Sequence, residues 1–434
     1  MNRKFFILMA VAVLVFCAPF AGFADENEVV ALKNQVDELN QKLANLERQM
    51  TTMQGHLTAE KPMAASNIVP AGAETPSGLI RTLQDIHMGG FVDVQYSKAL
   101  GDSTDHRTPA GALNATNIGR VFDINQDSFT INNVELDFQK NAEPAGGVGF
   151  RTDISMGEDA AIADFDPSTD QDEFSIQQAY AEYNAPVSKI WGENSIISND
   201  VNLKIGRFVT LAGNEVIESK DNWNLSRSFA FGLAIPFTHT GLRSNFKLFN
   251  NFLDTYVGVN NGWDNVVDNN TFKTLEFGVG WSPIEKVTFF HTLYWGAENN
   301  DTNSHRRFLT THVIGWDATN KLSFKGEFNQ GDQSRVIGGT ESHDADWQSY
   351  AGYARYQLTD KAALAYRAEL FKQNELFRTA LDNTLWSQTV TAEYKLADNM
   401  ITRLEYRYDK ANDANPFDLD SNQSTLGAQV IYLI

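Results

Sequence analysis

Thr274-Leu275-Glu276-Phe277-Gly278-Val279-Gly280-Trp281 changes character at every step. Leu275, Phe277, Val279 and Trp281 are apolar, while Thr274, Glu276, Gly278 and Gly280 between them are polar or small. Successive side chains of a strand point to opposite faces, so such a stretch has one greasy face and one wet face. The pattern returns where Val134, Leu136 and Phe138 alternate with Glu135, Asp137 and Gln139. It returns again where Leu404, Tyr406 and Tyr408 alternate with Arg403, Glu405, Arg407 and Asp409. In a soluble sandwich the greasy face packs a core. Repeated over many strands behind an export signal, the pattern predicts an all-β fold, a transmembrane antiparallel barrel around a wet interior.

The export signal is read at the N-terminus. Arg3 and Lys4 form a basic n-region, Phe5 to Phe16 an apolar run, and Gly22-Phe23-Ala24 places small residues for cleavage after Ala24. Residues 1–24 are therefore expected to be a signal peptide. No later segment holds 18 consecutive apolar residues, the length expected of a membrane-crossing helix. A mean hydropathy of -0.34 fits a barrel, because half of each strand is polar. The 29 Phe among 12% aromatics fit the girdles that barrels carry at both membrane surfaces.

Charge and cysteine usage exclude whole classes of function. The net charge is -20, and Arg3 and Lys4 are the only charged residues of the signal, so the mature chain carries -22. Nucleic acid is not an expected partner, since its binding needs clustered Lys and Arg. In a channel, excess acid favours cations weakly. Cys17, the sole cysteine, lies inside the signal, which removes disulfides, thiol catalysis and cysteine-held haem or iron–sulfur groups from the mature chain.

Residues 25–60 carry a second period. Val29, Leu32, Val36, Leu39, Leu43, Leu46, Met50, Met53 and Leu57 are spaced alternately by three and four, which predicts an α-helical coiled coil. It would be about 43 Å long at 1.5 Å per residue. Lys42 and Glu47 would pair between parallel copies, so the chain is expected to self-associate. Val at a with Leu at d leans toward two strands. Residues 61–86, broken by Pro62, Pro70 and Pro76, read as a linker, and 87–434 as the barrel.

About sixteen strands are expected, an even number near that leaving an aqueous lumen. The clearest are 88–100, 129–141, 146–156, 272–283, 285–297, 320–330, 347–358, 362–373, 385–397, 399–410 and 424–434. Tight turns at Ser282-Pro283-Ile284-Glu285 and Ala397-Asp398-Asn399 alternate with long polar loops such as 156–173 and 298–306, the asymmetry expected of periplasmic turns and outer loops.

Segment 211–239 interrupts the alternation and holds Glu215, Glu218, Lys220, Asp221, Arg227 and His239. A long loop folded into a barrel narrows it, and its charges set selectivity. Glu215, Glu218, Lys220, Asp221 and Arg227, with Arg207 and with Arg403, Glu405 and Arg407 across the lumen, are the candidate constriction. An external loop, or a further strand through 228–235, is the competing reading. Segment 158–173 gathers Glu158, Asp159, Asp164, Asp166, Asp170, Asp172 and Glu173. Its spacing is not that of a calcium loop, so a solvated acidic loop bridged to lipopolysaccharide is expected. The Asn- and Asp-rich 260–270 around Trp263 reads as a structured turn. Ser226 with His239 forms no recognised catalytic pattern, and His305 with His312 lacks zincin spacing. No catalytic residue, metal ligand or cofactor is expected.

Leu203-Lys204-Ile205-Gly206-Arg207-Phe208-Val209, Ser226-Arg227-Ser228-Phe229, Ile235-Pro236-Phe237-Thr238-His239-Thr240-Gly241-Leu242-Arg243 and Asn261-Gly262-Trp263-Asp264 together resemble the OmpL-like β-barrel porin family of bacterial outer membranes. The resemblance covers about eighty residues, roughly 201–281. It implies a porin of a Gram-negative outer membrane, with lipid, lipopolysaccharide and small hydrophilic solutes as partners. The coiled coil lies outside that resemblance and is similar to periplasmic extensions of some trimeric porins, which implies a homo-oligomer, a trimer over a dimer. A structural barrel tethering membrane to cell wall through the coiled coil is the alternative. The end, Val430-Ile431-Tyr432-Leu433-Ile434, keeps the alternation but places its aromatic two residues early for an outer-membrane barrel.

Overall fold

A computed structural model describes residues 85–434, save 101–116, 164–173, 188–195, 198–199, 301, 339–340, 376, 380 and 418–419. The signal, the coiled-coil positions Val29 to Leu57 and the linker up to residue 84 lie outside the described residues.

Alternation builds sixteen strands in which every neighbour in sequence is a neighbour in space. They are β1 His87–Leu100, β2 Ser128–Lys140, β3 Val148–Met156, β4 Phe174–Ala185, β5 Val201–Val209, β6 Thr238–Leu248, β7 Leu253–Asn260 and β8 Thr274–Ile284. They continue with β9 Val287–Ala297, β10 Arg306–Trp316, β11 Leu322–Gly338, β12 Glu341–Gln357, β13 Ala362–Gln373, β14 Thr384–Ala397, β15 Met400–Ala411 and β16 Asn422–Leu433. All pair antiparallel, and β1 closes on β16 from Phe91↔Leu433 to Leu100↔Ser424. Closure removes the sheet edges that hydrocarbon could not hydrogen-bond. The expected barrel is thus observed, with sixteen strands.

Short turns lie at the end where β1 begins and β16 stops. Pro283 cannot donate to a ladder, and the β8–β9 register shifts between Trp281 and Ile284, so that turn falls at Glu285-Lys286 rather than at Pro283. Asn250 and Asn251 adopt left-handed φ of 56° and 66° between β6 and β7, a conformation asparagine tolerates.

The outward face is apolar: Ile205 is 64% exposed, Leu404 61% and Leu426 47%. Two aromatic belts mark the membrane surfaces. Phe289, Trp316, Tyr356, Tyr394 and Tyr432 point out near the short turns, and Tyr96, Phe129, Trp295, Trp386 and Tyr408 near the long loops. Tyr432 pairs with Val92 and Met400, so the early terminal aromatic still joins the belt.

The inward face is not polar throughout. Near the long-loop ends Leu309, Trp347, Phe371, Leu385 and Ala411 also point inward, on the same parity as Thr311, Ser349, Glu369, Ser387 and Asp409. They join Phe122, Phe229, Phe231, Leu233, Ile235 and Phe237 in an apolar core inside the outer half of the barrel. Segments 117–127 and 210–237 supply much of that core from within, and Trp263 and Phe417 join it from other loops.

Candidate functional site

Val209 and Thr238 pair where β5 ends and β6 begins, so residues 210–237 leave and re-enter the sheet at one point. The sequence explains why they turn inward. Helix α2, Phe229–Ala234, is apolar on every side; α1, Glu158–Ala163, precedes it in the chain. A helix without a polar face is buried or does not form. Ser228 caps α2 by accepting from Phe231 N at 2.9 Å, and Pro236 follows its end.

Charged wall residues hold the loop across the lumen. On β15, Glu405 accepts from Leu225 N at 2.7 Å and Ser226 N at 3.0 Å. Arg403 donates to the Ser219 and Asn222 carbonyls at 2.8 and 2.7 Å, and Arg407 to the Arg227 carbonyl at 2.5 Å. On β13, Arg367 reaches Glu215 at 2.7 Å and the Ser226 carbonyl at 2.6 Å, while Glu369 accepts from Phe229 N at 2.5 Å. On β11, Glu327 accepts from Asn214 N at 3.1 Å. On the other side of the barrel, Gln177 of β4 donates to Glu218 at 2.6 Å. Buried backbone groups outside regular structure need such partners, and charged ones are the strongest.

The nine candidate residues separate into distinct roles. Arg403, Glu405, Arg407 and Glu215 are buried and committed to anchoring. Arg227 is an internal staple, donating to the carbonyls of Val216, Ile217 and Leu225, with its guanidinium 5.2 Å from the Phe122 ring. Lys220 and Asp221, paired at 2.5 Å in a single 3-10 turn, retain solvent contact, their side chains 29% and 56% exposed. Lys220 lies 5.8 Å from the ring of inward Phe91. Arg207 departs from the expectation. It shares parity with outward Leu203 and Ile205, not with inward Lys204 and Phe208, and bonds the Ile176 carbonyl at 3.0 Å on the outer face. The remaining alternatives resolve too: 228–235 is helix rather than strand, and the loop is internal rather than external.

Glu218 meets Glu135 of β2 and Asp153 of β3, their carboxylate oxygens within 4.8 Å of one another. Each already accepts a hydrogen bond, Asp153 from Gln178 at 2.5 Å and from Arg151, Glu135 from Ser155. Burial pushes the Glu218 carboxyl above its ordinary range, and the neighbouring charge of Asp153 adds to the rise.

Segment 117–127 was not singled out by its sequence. Its Arg120 donates to Asp409 at 3.0 Å, Asp123 at 2.6 Å and Thr425 at 2.9 Å, tying it to β15 and β16. The acidic loop after β3 is only partly as expected. Asp159 in α1 is buried 3.9 Å from Arg227, and burial holds its carboxyl well above the usual range; 164–173 lie outside the described residues. In 260–270, Asp264 accepts from Phe237 N and Thr238 N at 2.7 and 2.8 Å, and Trp263 packs edge-on against Trp347, a structured turn. Ser226 and His239 do not meet: Arg367 holds the Ser226 hydroxyl, and His239 bonds the Gly262 carbonyl.

Below the loop, toward the short turns, inward residues of β3 to β7 enclose a polar cavity of about 510 Å³. Thr210 and Leu211, where the loop begins, bound it above.

A family model described as "Putative beta-barrel porin-2, OmpL-like" matches residues 85–434. Among solved structures, the chain is similar to the outer membrane channel DcaP of Acinetobacter baumannii, with 11% identity and a TM-score of 0.54 over 80% of this chain and 97% of that one. It is also similar to an anion-selective porin from Comamonas acidovorans, with 11% identity and a TM-score of 0.53 over 80% and 99%. OprB of Pseudomonas putida follows at 11% identity and a TM-score of 0.50 over 82% and 96%. At such identities the likeness speaks to the fold alone. No curated protein matches the chain by sequence.

Proposed function

The chain belongs to the OmpL-like β-barrel porin family, and from this premise we propose that segment 210–237 sets the size and sign of what passes. The protein is an outer-membrane porin through which small hydrophilic solutes diffuse passively. The observation that carries our reading of the loop is its span. It reaches Glu405 and Arg403 on one wall and Gln177 on the other, so a solute must travel beside it. Anchoring consumes most of the loop's charges. Selectivity therefore falls to the water-facing Lys220 and Asp221, with Glu218 at their edge.

We read the channel as non-enzymatic and working without a cofactor. Its self-association into a trimer through Val29 to Leu57 in the periplasm, and its contact with lipid and lipopolysaccharide, belong to the same proposal. Reversal potentials in planar bilayers under a salt gradient test the loop's role. Lys220→Glu should shift preference toward cations, whereas an unmoved reversal potential and conductance would remove 210–237 from the pathway. The apolar core in the outer half of the lumen favours one second reading, a structural barrel with an occluded interior. Stable unitary current steps decide for the channel; their absence decides for the structural barrel.

A further inference from the structure

The cavity beneath the inserted loop has a lining that the anchoring network does not use. We infer that it is a binding subsite for neutral, polyhydroxylated solutes the size of a mono- or disaccharide. This rests on the channel reading, since a solute reaches the cavity only along the lumen.

Volume sets the class of occupant. About 510 Å³ is within the range of small-molecule sites and too small for a folded partner. Charge sets the next constraint. Arg151 pairs with Asp153 at 2.8 Å, and Arg243 grips Glu276 through two bonds of 2.6 and 2.7 Å. Lys204 lies 3.9 Å from Glu182. Asp254 accepts from Asn245 at 2.7 Å and from the Tyr256 hydroxyl at 3.1 Å. Each of the three cations thus lies beside a carboxylate, and the fourth carboxylate, Asp254, is held by the neutral donors Asn245 and Tyr256. An arriving anion meets no cation without a carboxylate beside it, and an arriving cation must compete with a guanidinium at Asp153 and Glu276, with the Lys204 ammonium at Glu182, or with the Asn245 and Tyr256 donors at Asp254.

A hydroxyl group is in a different position, because it donates and accepts at once. Asn202, which bonds Glu182 at 3.3 Å and Asn184 at 2.8 Å, sits in the same wall as Lys204, whose ammonium has three donors. Such mixed donors and acceptors on neighbouring strands can take several hydroxyls of one ring together. The apolar face of a sugar ring needs an aromatic surface, and Tyr180 and Tyr256 flank the cavity. Phe290 meets Tyr256 edge-on at 5.8 Å and 70°, which fixes the plane that ring presents. Lys204 lies 4.6 Å over Tyr180, steering that ring in turn.

The test uses the full-length protein in planar bilayers, with maltose added to one side. A polyethylene glycol of matching hydrodynamic radius and succinate serve as comparison probes. The subsite gives saturable block of unitary current by maltose, while the polymer lowers current only in proportion to bulk conductivity and succinate does not saturate. Tyr256→Ala raises the half-blocking maltose concentration about tenfold, read against each variant's own open current. Asn202→Ala raises it about threefold. Heat-modifiable gel mobility reports folding, and should Tyr256→Ala not fold, Asn202→Ala and the ring-preserving Tyr256→Phe carry the test. Maltose acting like the polymer, or succinate saturating in its place, while unitary steps persist, overturns the subsite and leaves the channel standing. Absence of unitary steps overturns both.

Discussion

Removal of the Glu405 carboxylate should loosen the inserted loop without unfolding the barrel. Glu405 is buried on β15, and its two oxygens accept from Leu225 N at 2.7 Å, Ser226 N at 3.0 Å and the Thr391 hydroxyl at 2.6 Å. Glu405→Ala leaves all three donors without their acceptor. An unsatisfied buried donor costs roughly 1–3 kcal/mol, so the loss is about 3 kcal/mol even at the low end. At 1.4 kcal/mol per tenfold, that shifts the docked loop toward undocked states by about a hundredfold. Arg403 and Arg407 keep their own bonds to the Ser219, Asn222 and Arg227 carbonyls, so the segment should fray around Leu225 rather than leave the lumen. Sixteen closed ladders do not depend on this carboxylate, and heat-modifiable mobility should be retained. Unitary conductance should rise and the open level become noisier. Glu405→Gln, which keeps an acceptor oxygen but loses the charge, should lie between. Conductance and noise identical to wild type in a folded Glu405→Ala protein would refute the claim that the docked loop limits passage.

Three further predictions follow from the same contacts. Trp347, fully buried, donates from Nε1 to the Ala234 carbonyl at 3.0 Å, so Trp347→Ala should lower stability by about 3–5 kcal/mol, visible as an earlier thermal transition in detergent. Arg120→Met leaves Asp409 buried without its closest partner in 117–127, at a cost of about 3–5 kcal/mol, and should expose that segment to limited proteolysis that spares the wild type. Because the folded-state pKa of Glu218 is raised, its contribution is complete below the ordinary glutamate value and is lost as pH rises through the raised one. Thermal stability should therefore decline over that window in wild type and stay flatter in Glu218→Gln; parallel curves would show that this carboxyl does not titrate as argued.

The barrel was legible because alternation is a strong signal wherever one face meets hydrocarbon. All eleven of the clearest segments correspond to strands, with ends differing by a few residues except at β11 and β12, which run further. The even strand count follows from closure with both ends of the sheet at the short turns. The loop's departure from alternation was also visible, but its apolar Phe229-Ala230-Phe231-Gly232-Leu233-Ala234 fits a membrane strand as well as a buried helix, and the structure decides for the helix. Two aspects were not legible. Trp347, Phe371 and Leu385 share the inward parity of Ser349, Glu369 and Ser387, and parity alone cannot say which inward residues face water and which face an inserted segment. Segment 117–127 has no motif, and its role depends on Arg120 meeting Asp409 some three hundred positions away. Arg207 shares the parity of Leu203, Ile205 and Val209, which places it on the outer face despite its charge. For Arg403, Glu405 and Arg407, alternation gives the inward face across the lumen from the loop, but not that these groups are spent on loop backbone.

The central claim is that each strand turns one side to hydrocarbon and the other into a closed cylinder. With Cys17 replaced, single cysteines at positions 202, 203, 204 and 205 of β5 read both sides within four residues. In vesicles, a fluorophore on Leu203→Cys and Ile205→Cys should be quenched by nitroxide on lipid chains, whereas Asn202→Cys and Lys204→Cys should react with a charged water-soluble maleimide and escape that quenching. Equal quenching at all four positions, or labelling without a two-residue period, would contradict the account.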